Sequence, residues 1–197
     1  MKNQIRVYSV SNSIVFFKTQ EKYGEFSNMT PGFVIPVEDY LFKSSEALFQ
    51  TCKFPYSPEI QFEIYDQVNG FSAKKVAQAH KDLIRKDWFE VNIKVMKWVL
   101  EMKAYSSSYF RELLVSTGDV SIVEKSFKDS FWGAQPQGGN LVGVNALGRL
   151  LMGVRRDLNS GKFSVQLPRI NDFYLFGSLL ENISFKGGLT PPKEFMK

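Results

Sequence analysis

The sequence predicts an α+β fold, predominantly helical, with a small β element near its N-terminus. Three observations carry that prediction. Residues 5–18 alternate apolar and polar side chains and are rich in Val, Ile, Phe and Tyr, the period-two pattern of strands. From Ser44 the period becomes helical, and cap and stop residues follow in quick succession. From 162 to 197 periodicity is lost, and Pro168, Pro191 and Pro192 interrupt the chain. The chain therefore reads as one domain over residues 1–161, with a C-terminal extension over 162–197 packed on it and ending loosely.

Each element has its own signal. Two short strands fill 5–18, with a turn at Ser11, Asn12 and Ser13. Residues 23–43 hold Gly24, Pro31, Gly32 and Pro36, which predicts an irregular loop with a short strand near Phe33–Val37. A helix is expected over 45–54. Ser57, Pro58 and Glu59 form an N-cap, an N1 proline and a first-turn acid, opening a helix that stops at Asn69 and Gly70. Ser72 is the expected cap of a helix over 73–82. Asp87 and Glu90 have capping-box spacing before a long helix to Lys103, with Trp88, Val91, Val95, Trp98, Val99 and Met102 on one face. A further helix spans 107–116, and 120–126 reads as a strand. Asn145 is the expected cap of a last helix with Leu147, Leu150, Leu151, Val154 and Leu158 on one face and Gly161 as its stop.

Composition narrows the chemistry. The 197 residues include one His and one Cys, with a net charge of +5. One Cys forms no internal disulfide, and one His with one Cys makes no Cys/His zinc site. His80 reads as a helix-surface residue and Cys52 as a small core residue. If the chain is an enzyme, its acid–base chemistry falls to carboxylates, Lys or Tyr, and no metal or other cofactor is expected. The N-terminus lacks the apolar run of a signal peptide, and no stretch is long and apolar enough for a membrane span. A cytoplasmic location is the expectation.

Four places stand out. On the helix over 45–54, Glu46, Gln50 and Lys53 share one face, opposite Leu48, Phe49 and Cys52. A solvated face is the plainer account of that spacing. Asp129 precedes Phe131, Trp132 and Gly133, where a turn aspartate beside a core Trp is the plainer account. Gly138, Gly139 and Gly143 lead toward the helix behind Asn145, where backbone N–H groups can meet a phosphate. Residues 74–103 carry eight cations against four acids, around Trp88, which suits a phosphorylated or nucleic-acid partner as well as a solvated helical face.

Read together, these segments resemble the NADAR, or YbiA-like, family over roughly residues 7–158. The likeness rests on Tyr23 to Asn28; Ser45 and Glu46 with Phe49, Gln50, Lys53 and Phe54; Arg85 with Asp87, Trp88, Val95 and Met96; Asp129 with Trp132 and Gly133; and Asn145 with Leu147, Gly148, Leu151, Met152, Val154 and Arg155. Four positions depart from it: Met29, where the family commonly has an aromatic; Ala47, where it usually has His; and Ala134 and Gln135, where an acid and glycine often follow.

The resemblance implies an N-glycosidase that cleaves a ribosyl C–N bond. Two substrate classes follow from it: ADP-ribosylated guanine in nucleic acid, in some members tied to phage defence, and phosphorylated ribosyl-pyrimidine intermediates of riboflavin synthesis. A non-catalytic ADP-ribose or NAD-binding module is a third reading, disfavoured by the presence of both Glu46 and Asp129. The resemblance makes Glu46, Trp88 and Asp129 the essential set. Carboxylates suit a cleavage that builds positive charge on the sugar. The two acids share the roles of holding water or ribose hydroxyls and of stabilising the cation or passing a proton, and the sequence does not divide them. Lys53 offers an amine that can trap an opened sugar aldehyde. Trp88 either stacks on the base or belongs to the core. Arg85 and the glycine-rich approach to Asn145 are expected to meet phosphate. Gly24, Glu25, Phe26 and Asn28 are expected to line the pocket, with Gln50, Trp132 and Gly133.

Overall fold

A computed structural model describes residues 4–181. In chain order come β1 (Arg6–Ser9), β2 (Ser13–Phe16), β3 (Ile35–Val37), β4 (Tyr40–Phe42), α1 (Ser45–Thr51), α2 (Pro58–Tyr65), α3 (Gly70–Ala79), α4 (Trp88–Ser106), α5 (Ser108–Ser116), β5 (Ser121–Glu124), β6 (Gln135–Gln137), β7 (Asn140–Gly143), α6 (Ala146–Asn159), β8 (Tyr174–Leu175) and β9 (Ser178–Leu179). The class is α+β and mainly helical, as expected. The β structure is more dispersed than expected. β1 and β2 pair with later strands rather than with each other, in an antiparallel sheet β1-β7-β6 and a parallel pair β2-β5. β3-β4 and β8-β9 are separate antiparallel hairpins. Strands of two or three residues show no period, which is why β4, β6, β8 and β9 left no trace in the sequence reading.

The chain forms two compact units. One combines residues up to Ser27 with Ser108–Phe163, and the other begins at Asn28, runs to Ser107 and resumes at Ser164. In the first, α6 buries the five apolar residues expected of it, and β5 supplies Ile122 and Val123, both fully buried. Arg155 is buried there too, donating to Thr117 Oγ1 at 2.7 Å and to the Val120 carbonyl at 2.9 Å.

Two sequence expectations are corrected in this unit. Asn145 sits before α6 in a left-handed conformation, and its side chain does not cap the helix. It reaches β5 instead, donating to the Ile122 carbonyl at 2.8 Å and accepting from Glu124 N–H at 3.1 Å. The opening N–H groups of α6 are taken by the preceding loop: Ala146 donates to the Phe131 carbonyl at 2.9 Å and Leu147 to the Trp132 carbonyl at 3.1 Å. No N–H of that pair is left to meet a phosphate. Gly138 and Gly139, at φ +53° and +80°, form the tight turn of the β6-β7 hairpin, a conformation glycine adopts without a Cβ penalty.

In the second unit, Trp88, Val91, Val95, Trp98, Val99 and Met102 are all buried along α4. Ser44 caps α1, its hydroxyl accepting from Ala47 N–H at 3.1 Å. Asn69, rather than Ser72, caps α3, accepting from Ser72 N–H at 3.0 Å. Asp87 precedes α4 without forming a capping box, because its carboxylate binds Arg85. α2 ends at Tyr65, short of Asn69. Described residues beyond 163 pack here: Phe176 sits among Tyr40, Phe42, Phe62 and Tyr65, Phe173 meets Trp98 edge-on, and Gln61 donates to the Tyr174 carbonyl at 2.9 Å. The expected loose end, with Pro191 and Pro192, lies outside the described residues. Among those described, no helix is long and apolar enough to cross a membrane.

Candidate active site

α1 is seven residues long and every one is buried, so its polar face is no solvated surface. Glu46 is 5% exposed and Gln50 2%. Gln50 Nε2 donates to Glu46 Oε1 at 2.6 Å, across one helical turn. Burial pushes the Glu46 carboxyl above its ordinary range, opposed by Lys74, the Gln50 hydrogen bond and Lys53. The Lys53 amine is pushed down to about 8, chiefly by burial, with Glu46 raising it and Lys74 lowering it further.

Lys53 lies over two aromatic rings, 5.4 Å from the Trp88 centroid and 5.8 Å from that of Phe49. Those rings are 5.0 Å apart. Trp88 is 8% exposed at the first turn of α4, so it is a core residue with a small exposed part. Asn28 joins the same place, its carbonyl accepting the Glu46 N–H at 3.0 Å. Its Nδ2 donates to Met96 Sδ at 3.0 Å. The structure thus brings Asn28, Glu46, Gln50, Lys53 and Trp88 together.

Arg85 stands next to this group through its backbone, whose N–H donates to the Lys53 carbonyl at 2.9 Å. Its guanidinium is engaged elsewhere. It holds Asp87 through two hydrogen bonds of 2.6 and 2.9 Å and reaches the Asn171 and Asp172 carbonyls. The same pair holds the Asp87 carboxyl below its usual range. Arg85 therefore fixes chain segments, and its expected contact with phosphate has no support in its partners. Of the eight cations over 74–103, Arg85 and Lys103 are buried, and the surface charge rests on the remaining lysines.

In the first unit, Asp129 is exposed, and its Oδ1 accepts from the N–H groups of Phe131 and Trp132 at 2.8 and 2.9 Å. That is a turn aspartate that orders its own loop. The Trp132 ring meets Phe131 edge-on at 5.2 Å. Gly133 is required by close approach, since a Cβ there would lie 2.7 Å from the Glu124 carbonyl oxygen. Gly24 is required likewise, because its Cβ would run into the Thr19 carbonyl. Phe26 is fully buried among Phe16, Tyr23 and Phe110, and Glu25 accepts from the Tyr109 hydroxyl at 2.9 Å.

Two residues of the second unit carry features that their local sequence did not single out. Asn92 is a buried polar residue on the apolar side of α4, in helical line with Trp88. A polar side chain on that stripe was the available signal. Gly70 opens α3, and a Cβ there would lie 2.9 Å from Glu46 Cβ and 3.1 Å from Met29 Cα. No sequence pattern announces that contact. The family departures have packing meanings: Ala47 is buried in α1, and Ala134 belongs to a cluster with Tyr8, Val123 and Leu141.

The model of the NADAR domain matches residues 15–159, taking in residues of both units. The chain belongs to the NADAR family. An N-glycosidase of Nostoc punctiforme is 32% identical over 150 residues, covering 75% of this chain and 94% of that protein. N-glycosidase YbiA of Escherichia coli is 32% identical over 145 residues, covering 74% of this chain and 88% of the relative. Its NMR structure aligns with a TM-score of 0.67 at 29% identity, over 83% of this chain and 95% of the other. A riboflavin biosynthesis protein of Vibrio vulnificus is 30% identical over 154 residues, which are 78% of this chain but 41% of that protein. This NADAR chain is an N-glycosidase, a hydrolase of N-glycosyl compounds.

Proposed function

We propose that this NADAR protein removes ADP-ribose from guanine bases of nucleic acid, by hydrolysing the bond between the ribosyl C1 and a nitrogen of the base. The observation that carries the reading is a buried carboxyl, Glu46, in one cluster with a half-buried amine and an indole. In water-poor surroundings a carboxyl whose pKa burial raises holds its proton more readily, and the protonated form can hand that proton to a departing nitrogen. Once ionised, it can stabilise the cationic sugar. The C1–N bond breaks with its electron pair going to the base, and water supplies the hydroxyl that C1 gains. The family resemblance implies a second carboxylate, Asp129, for the water or the ribose hydroxyls. Its Oδ2 takes no protein donor among the described residues. Trp88 offers a ring for stacking, and Lys53 an amine for the opened aldehyde, with which it would form an imine and release water.

The polymeric form of the substrate draws its support from Lys74, Lys75, Lys81, Lys86 and Lys94, all exposed in one unit. A second reading has its own support in the name of the Vibrio relative: the same chemistry on a phosphorylated ribosyl-pyrimidine intermediate, releasing ribose 5-phosphate. Incubation with ADP-ribosylated DNA and separately with the phosphorylated ribosylaminopyrimidine, followed by mass spectrometry, separates them. Release of ADP-ribose from the DNA is the expected outcome. Release of ribose 5-phosphate alone selects the second reading, and activity on neither contradicts both.

A further inference from the structure

α4 carries an amide on its apolar stripe. Asn92 follows Trp88 by four residues and precedes Met96 by four, so the three side chains lie in one line along the helix. Both neighbours in that line are tied to α1 or to the residues beside it. The Trp88 ring packs on Phe49, and Met96 Sδ accepts from Asn28, whose carbonyl holds the Glu46 N–H. Asn92 lies on α4 between these two residues. It is 6% exposed, and its Oδ1 has no hydrogen-bond partner. Two more buried amide oxygens share that condition, Oδ1 of Asn28 and Oε1 of Gln50, as does the Ser45 hydroxyl.

A buried acceptor left without a donor costs about 1–3 kcal/mol, and folded proteins avoid it unless something else satisfies the group. Three such amide oxygens, one on α1, one just before it in the fold at Asn28 and one on α4, define what the missing partner must bring. It must bring hydrogen-bond donors. A phosphate at neutral pH offers little but acceptors, whereas the hydroxyls of a ribosyl ring offer donors. A hydroxyl next to the reacting carbon also bonds more strongly as positive charge builds on the sugar.

We propose that Asn92 is a further substrate-binding residue, its carboxamide oxygen accepting a hydrogen bond from the 2-hydroxyl of the ribosyl ring. The assignment rests on the reading of a ribosyl substrate given above, and it applies to both substrate classes, which share a ribose 5-phosphate portion. It also explains why an amide stands among apolar residues on α4.

The test is a calorimetric titration of the full chain with ribose 5-phosphate and with 2-deoxyribose 5-phosphate. Wild type, Asn92→Ala and Asn92→Leu are compared, the leucine keeping the volume filled. Wild type is expected to bind ribose 5-phosphate about tenfold more tightly than the deoxy sugar, the worth of one hydrogen bond that would otherwise leave a buried acceptor unpaired. In both variants the ribose affinity falls and the two sugars bind within about twofold of each other, since the group that distinguishes them is gone. An unchanged preference in folded Asn92→Ala or Asn92→Leu overturns the assignment. So does a wild-type protein that fails to distinguish the sugars, including one that binds neither. The titration needs no turnover. Loss of the hydrolysis reading with the sugar preference intact, and the reverse, are therefore separate results.

Discussion

At the residue scale, Lys53 turns a pKa shift into a rate prediction. Its amine is held at about 8, so the neutral, nucleophilic fraction grows as pH rises through that value. If the amine traps the sugar aldehyde, the rate rises with pH to a plateau above about 8, and borohydride added during turnover leaves a sugar adduct on Lys53. Lys53→Ala then loses the adduct and about two to four orders of magnitude in rate. Full activity in Lys53→Ala with no adduct in wild type removes the imine step and leaves Glu46 untouched. The shared face of Glu46, Gln50 and Lys53 was legible from their spacing, but its direction was not. A helix wheel separates faces without saying which one a neighbour covers. Here α4 packs against α1, and the polar face turns inward with its partners Trp88 and Asn28. Asn145 and Asp129 were visible as unusual residues. The bonds that occupy them come from β5 and from the loop at 130–132, contacts that follow from the fold rather than from local sequence.

At the element scale, the short helix α1 owes its place to what lies over its first turn. α3 begins on Gly70 so closely above Glu46 that an added Cβ would stand 2.9 Å from Glu46 Cβ, nearer than real side chains approach. Neither atom is the free end of a flexible chain, so the helix start or the Glu46 backbone must move. Gly70→Ala is expected to lower kcat by about 10- to 100-fold while KM changes less than threefold, because displacement of a reacting group by a fraction of an ångström acts mainly on the chemical step. Steady-state kinetics with a circular dichroism check of the fold measures this. A variant with wild-type kcat contradicts the positioning role. The helices themselves were legible because α4 and α6 are long enough to show a period and to bury all of their predicted apolar faces. The caps were less so. Asp87 carries cap spacing with Glu90, yet the guanidinium of Arg85 is a stronger partner for its carboxylate than a backbone N–H.

At the scale of the whole molecule, a buried carboxyl is a burden that the fold carries for its chemistry. Burial raises the Glu46 pKa above its ordinary 4.5, so the folded state favours the protonated form. The contribution of this group to stability is fully present below pH 4.5 and is lost as pH rises through the raised value. Glu46→Gln removes the ionising group, keeps the shape and leaves a partner for Gln50. The substitution therefore stabilises the protein at neutral pH, by about 1–3 kcal/mol or roughly 2–10 °C in Tm, and the gain widens as pH rises. The same reasoning explains why the β structure was the least legible part of the fold: β1 pairs with β7 and β2 with β5 across more than a hundred residues, and no local pattern records such partners. The most direct measurement is a paired one on wild type and Glu46→Gln, thermal unfolding and release of the ribosyl product in the same preparations. The account predicts a variant that melts higher and releases product at least about a hundredfold more slowly. A variant that melts lower and keeps its activity would contradict it.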